Sequence, residues 1–156
     1  MKIIYHCYGG THSSVLGAAT HLGILDSKRI PTNREILNCP YFDQVENDQL
    51  GSIFFIGIDE KGHEVYIMGC KSAGTLVEKV IKDFCKIMQI NGEEVMLVST
   101  KPSINMLLRI GGLLSRRLKL VTLGRFFLFP GSKLALPKIR KIVKKVNLDR
   151  ELTGIG

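Results

Sequence analysis

The sequence predicts an α/β fold: three layers around a mostly parallel sheet of about five strands with one antiparallel hairpin, Rossmann-like or flavodoxin-like. Two observations carry this. Short apolar runs read as strands at residues 2–7, 52–58, 63–69, 94–99 and 120–129, and helical periodicity fills most of the intervals between them. Strands alternating with helices imply βαβ units and hence parallel pairing. The tight Asp59-Glu60-Lys61-Gly62 connection instead joins two runs as a hairpin.

Residues 2–7 are a short, mostly apolar run, as in a buried parallel strand. Tyr8-Gly9-Gly10-Thr11 follows as a turn, and Ser13 or Ser14 can cap a helix running to about Leu25. Thr32-Asn33-Arg34-Glu35 is a capping box, which predicts a short second helix over residues 33–38. After the hairpin, Ser72 is placed to cap a long helix through about Gln89. Its apolar residues Leu76, Val77, Val80, Ile81, Phe84, Ile87 and Met88 recur at helical spacing. Pro102-Ser103 opens a helix to about Arg117, weakened by Gly111-Gly112. Residues 120–129 read as a strand, and Pro130-Gly131-Ser132 leads into a basic amphipathic helix through about Val146. There Leu134, Ile139, Ile142, Val143 and Val146 face inward.

The chain of 156 residues is expected to form one domain, residues 1–156. Its apolar content of 45% is enough for a filled interior and too high for disorder. No apolar run reaches the roughly 18 residues of a membrane helix. His6 interrupts any signal-peptide core, so a cytoplasmic setting with reduced cysteines is expected. Cys7, Cys39, Cys70 and Cys85 form no C-x-x-C pair, and His6, His12, His21 and His63 form no zinc motif. Neither a metal nor a cofactor is implied.

Charge is distributed unevenly. Residues 1–100 hold 9 Lys/Arg against 12 Asp/Glu, whereas residues 101–156 hold 13 against 2. Arg116, Arg117, Lys119, Lys138, Lys141, Lys144 and Lys145, with Arg125, are a candidate patch for nucleic acid or another polyanion. The plainer alternative is a solvated lysine face. Phe126, Phe127 and Phe129 read as strand core rather than as bases' stacking partners.

In open sheets of this kind, ligands bind at the carboxyl ends of the strands. The loops expected there are 7–14, 70–73, 99–103 and 129–132. The first is the richest. Gly9 and Gly10 let backbone amides turn inward, a helix N-terminus adds unpaired N–H donors, and Thr11, Ser13 and Ser14 add hydroxyls. Such donors favour a thiolate, the nucleophilic form of cysteine. Cys7 is therefore the candidate nucleophile and His12 the candidate general acid or anion ligand. Gly9, Gly10, Thr11, Ser13 and Ser14 make the cradle. Lys71 and Ser72 repeat the theme after Cys70, where a thiol–disulfide or persulfide role is a further option. The alternative for the first loop is a tight turn whose serines cap a helix; for Cys7 it is a buried inert thiol.

Cys7, five residues, then Ser13-Ser14 resembles the cysteine-phosphate loop of low-molecular-weight tyrosine phosphatases and related arsenate reductases. The arginine that clamps phosphate in that loop is replaced here by Ser13, which argues against phosphatase activity. Cys7, Gly10, Ser13 and Ser14 also resemble the phosphocysteine loop of phosphotransferase-system IIB domains, which needs no arginine. A Walker A loop would fit by length, but Thr11 and His12 stand where its Gly and Lys belong. The opening Tyr5-His6-Cys7-Tyr8-Gly9-Gly10-Thr11-His12-Ser13-Ser14, followed by Ala18-Ala19-Thr20-His21-Leu22-Gly23, resembles an uncharacterised family from spore-forming Firmicutes. The resemblance implies no activity. The functional expectation is binding of a phosphate-bearing small molecule or nucleotide at the first loop, with phosphoryl or thiol chemistry at Cys7. The alternative is a non-enzymatic module that binds a polyanion through the basic C-terminal third.

Overall fold

The structure, a computed structural model, describes residues 1–152, with side chains through residue 149. The last four residues of the expected 1–156 domain lie outside the described residues. Strands β1 (Lys2–Cys7), β2 (Ile53–Ile58), β3 (Glu64–Gly69) and β4 (Val95–Ser99) form one sheet in the order β2-β3-β1-β4. β1 pairs in parallel with β3 and β4, and β2 pairs antiparallel with β3. The helices are α1 (Ser13–His21), α2 (Asn33–Leu37), α3 (Gly74–Ile87), α4 (Met106–Gly112) and α5 (Val121–Leu152).

The sheet has four strands among the described residues, not about five. Residues 120–129 look like a strand because Val121, Phe126, Phe127 and Phe129 suit a pleated surface. They are helical instead: α5 runs unbroken to Leu152 with Pro130 and Pro137 inside it. Tertiary packing overrides local preference here. Gly111 of α4 lies so close to α5 that a Cβ on it would stand 2.8 Å from the Gly124 carbonyl. On the α5 side, Leu128, Ala135, Leu136, Ile139, Val143 and Val146 form a buried helical stripe. Leu134, expected inward, is 65% exposed. Residues 129–132 are therefore mid-helix and not a loop at the sheet edge. α4 is also shorter than the expected 102–117 helix, because residues 113–117 widen into a π turn.

β1 divides the molecule. Ile3 and Tyr5 point into the main core with Val15, Leu16, Ala18 and Ala19 of α1. α1 buries eight of its nine residues, and its small side chains allow that. A Cβ on Gly17 would reach within 3.0 Å of the Tyr5 ring. His6 points to the opposite face, toward α3. That helix turns Gly74 and Cys85, with half-buried Val77, Glu78 and Ile81, toward the sheet. Its expected apolar stripe is largely outside: Leu76, Val80, Phe84, Ile87 and Met88 are exposed. α3 starts at Gly74 with Ala73 as its N-cap, so Ser72 does not cap it. The Thr32–Glu35 capping box opens α2 as expected.

Candidate functional site at the carboxyl edge of the sheet

The carboxyl ends of β1 and β3 lie side by side, and their alternation sets two cysteines on opposite faces. Cys7 is in register with Gly69, and the Cys70 amide donates to the Cys7 carbonyl at 3.1 Å. Cys7 is only 3% exposed and faces α1. Its sulfur accepts the Gly10 amide at 3.1 Å and lies 3.2 Å from Ser14 Oγ. Gly10 is demanded twice. Its φ is +72°, and a Cβ would stand 2.5 Å from the Gly69 amide nitrogen. The tight turn thus packs β1's loop directly on β3's end.

The rest of the first loop is committed to its neighbours. The Thr11 hydroxyl donates to the Tyr41 carbonyl at 2.8 Å and accepts from the amides of Gln44 and Val45. Ser13 Oγ meets Thr100 Oγ1 at 3.1 Å, and Thr100 in turn donates to the His6 carbonyl. His12 is the N-cap of α1 but caps nothing with its side chain. Its Nε2 lies 3.1 Å from Asp43 Oδ1, and its ring meets Phe42 edge-on. Among the described residues, the amides of His12, Ser13 and Ser14 have no acceptor, as at any helix start. Gly9 is half-buried, and Lys71 and Ser72 are exposed at the rim, with Lys71 at φ +49°.

Asp43 anchors that network. Burial works to raise its carboxyl, but hydrogen bonds from His12 and Ser115, aided by Arg125, hold it below the ordinary carboxylate range. This assigns His12 a structural partner 31 residues away, which no local spacing announces.

On the other face stands a second array. His6 Nε2 is 2.8 Å from Glu78 Oε1, and His6 Nδ1 is 3.4 Å from Cys70 Sγ. A carboxylate, an imidazole and a thiol are in line, the order in which a general base activates a nucleophile. His6 is 1% exposed and Cys70 7%, while Glu78 reaches solvent. Burial pushes the Cys70 thiol up, opposed by Lys101. Burial also pulls His6 down, opposed by its bond to Glu78. Burial thus disfavours the charged form of each, and the Cys70 thiol has two acceptors within reach, His6 Nδ1 and the Cys7 carbonyl, each 3.4 Å from Sγ. Lys101 stands nearby: a Cβ on Gly74 would lie 3.2 Å from its Nζ and 3.2 Å from His6 Cε1. The first amides of α3, at Gly74, Thr75 and Leu76, open beside this array without acceptors among the described residues.

His6, Glu78 and Lys101 were not legible as site residues from the chain. The available signal was a polar residue in each of two apolar patterns: His6 within β1, and Glu78 within the stripe of α3 that faces the sheet. The basic residues do not make one patch. Arg116 and Lys119 both pair with Glu46, and Arg116 also donates to the Asp43 carbonyl. Lys138, Lys141, Lys144 and Lys145 are exposed on α5, roughly 25 Å farther along at 1.5 Å per residue. A cleft of about 580 Å³ lies elsewhere again, lined by His21, Asp59 and Lys61. There His21 bridges Tyr5 (2.8 Å) and Asp59 (3.0 Å), tying α1 to the hairpin. Among the described residues no cluster of three or more His, Cys, Asp or Glu is arranged to hold a metal ion.

These features define a mixed α/β protein with two cysteine centres on the carboxyl edge of a four-stranded sheet. The chain belongs to the DUF3189 family of proteins of unknown function, whose model matches residues 2–147. No curated protein and no solved structure matches the chain.

Proposed function

We propose that this protein is a cysteine-dependent enzyme that works at the carboxyl edge of the sheet on a small anionic substrate, with Cys70 as nucleophile. The observation that carries the reading is the alignment of Cys70 Sγ, His6 and Glu78 at 3.4 and 2.8 Å. In the chemical step, His6 Nδ1 takes the thiol proton as Cys70 Sγ attacks an acyl carbon of the substrate. The carbonyl oxygen gathers negative charge, which Lys101 and the first amides of α3 stabilise. Collapse expels an alcohol or thiol that leaves with the proton from His6, and water then releases the acyl group from sulfur. Glu78 is a positioning residue: it fixes the tautomer that leaves Nδ1 free.

The test is acylation of the full chain by p-nitrophenyl acetate, followed by nitrophenol release and intact mass. An acetyl adduct on Cys70 is expected, abolished in Cys70→Ser and slowed about 100-fold in His6→Asn. Glu78→Gln, a half-exposed and isosteric change, is expected to slow it about tenfold. Labelling of Cys70 no faster than of Cys85, or unaffected by Glu78→Gln, overturns the reading.

A second reading rests on the other thiol. The Gly10 amide and the Ser14 hydroxyl converge on Cys7 Sγ at the start of α1. That supports a phosphate-bearing small molecule or nucleotide at loop 7–14, where Cys7 Sγ attacks phosphorus, the ester oxygen leaves with the thiol proton, and water then releases phosphate from sulfur. Phosphate titrated by phosphorus NMR should broaden in the wild type and less in Cys7→Ser. An unchanged phosphate signal removes this reading and leaves the Cys70 reading standing.

A further inference from the structure

The outward face of α5 changes character along its length. On the side opposite the buried stripe, Leu123, Phe126 and Leu134 are 49%, 72% and 65% exposed. One helical repeat farther on, the same side carries Lys138, Lys141, Lys144 and Lys145, all exposed. Positions 123, 126, 130, 134, 138, 141 and 145 advance by three or four residues, so they share one face. Residues 101–148 contain twelve Lys/Arg and no Asp or Glu. Lys133, Lys138, Lys141, Lys144 and Lys145 have no ion-pair partner among the described residues.

We infer that this face of α5 docks on an anionic lipid surface. The first half presents large apolar side chains that gain only where hydrocarbon receives them. The second half supplies the cations that phosphate headgroups attract, and together they make the pattern of a helix lying in the membrane interface. No helix among the described residues is long and apolar enough to cross a membrane. Two other occupants fit less well. A second copy of the chain, paired face to face through α5, would set lysine against lysine if the helices ran parallel and lysine against leucine and phenylalanine if they ran antiparallel. A nucleic acid would satisfy the lysines but leave Leu123 and Leu134 with nothing to bury against, since leucine offers no stacking plane.

The test is co-sedimentation of the full chain with vesicles of phosphatidylcholine, alone or mixed with phosphatidylglycerol. Binding to the mixed vesicles is expected, weakened severalfold by raised salt, with little binding to phosphatidylcholine alone. Lys138→Glu with Lys141→Glu and Lys144→Glu should weaken it at least tenfold. Phe126→Asp with Leu134→Asp should do the same with the circular dichroism spectrum unchanged, because both side chains are exposed. No binding, or equal binding to both vesicle types, overturns the inference. So does RNA binding without vesicle binding, or a dimer in light scattering that Phe126→Asp dissociates.

Discussion

The Ser115 hydroxyl lies 2.7 and 2.8 Å from the two carboxylate oxygens of Asp43, a residue 72 positions earlier in the chain. Asp43 is itself left-handed, at φ +56°. It collects His12 and Arg125 as well, so one buried carboxylate ties the start of α1 to the α4–α5 junction. Asp43→Asn should destabilise by about 3 kcal/mol, because the donors left behind lose a charged acceptor. Urea unfolding at neutral pH measures it. The folded-state value of this carboxyl is depressed, so its stabilisation is complete above the unfolded value near 3.9. It is lost as pH falls through the folded value. The difference between wild type and Asp43→Asn should therefore shrink in acid.

Gly10 and Gly23 separate two costs of adding a methyl group. Both have positive φ, +72° and +69°, but a Cβ at Gly23 meets nothing within 4 Å. Gly23→Ala should cost about 1 kcal/mol from backbone strain alone. Gly10→Ala adds a collision with the backbone of β3 and should cost severalfold more. Paired thermal melts would show it, and equal losses would mean the turn can move away from β3.

Pro137 is exposed inside α5 and withholds an amide from the helical ladder. Pro137→Ala should stabilise the protein by about 1–3 kcal/mol with helical circular dichroism preserved or increased. A loss of stability would mean that the fixed backbone geometry of Pro137 helps α5 to follow the core.

Cys39 is pushed up to about 11, mainly by burial and further by Glu35. At pH 8 about one thiol in a thousand would be ionised. Iodoacetamide labelling read by peptide mass should find Cys39 the slowest cysteine in the native state. Denaturant should erase the difference.

Much of this fold was legible because local rules and tertiary packing agree. The capping box at Thr32 and Glu35, the Asp59–Gly62 hairpin and the apolar β1 each carry their own signal. The region after Leu120 failed because aromatic and β-branched residues prefer strands, while Gly111, Gly124 and Leu128 interlock only when both segments are helical. The polar loop from Gly9 to Ser14 was visible, but the partners of its side chains were not. Tyr41, Asp43 and Thr100 come from distant segments, and spacing along a chain does not report them. Cys70 stands in the chain as an echo of Cys7. Its alignment with His6 and Glu78 needed the crossing of a strand, a loop and a helix.

Neighbouring residues of β1 serve opposite sides of the sheet, since His6 faces Glu78 and Cys7 faces Ser14. Sliding the strand by one position would exchange them, aiming the imidazole at α1 and the sulfur at α3. One inserted residue before His6 would then undo both proposed thiol sites together while leaving every side chain chemically intact. The two proposed chemistries share a single vulnerability, and it is one of phase.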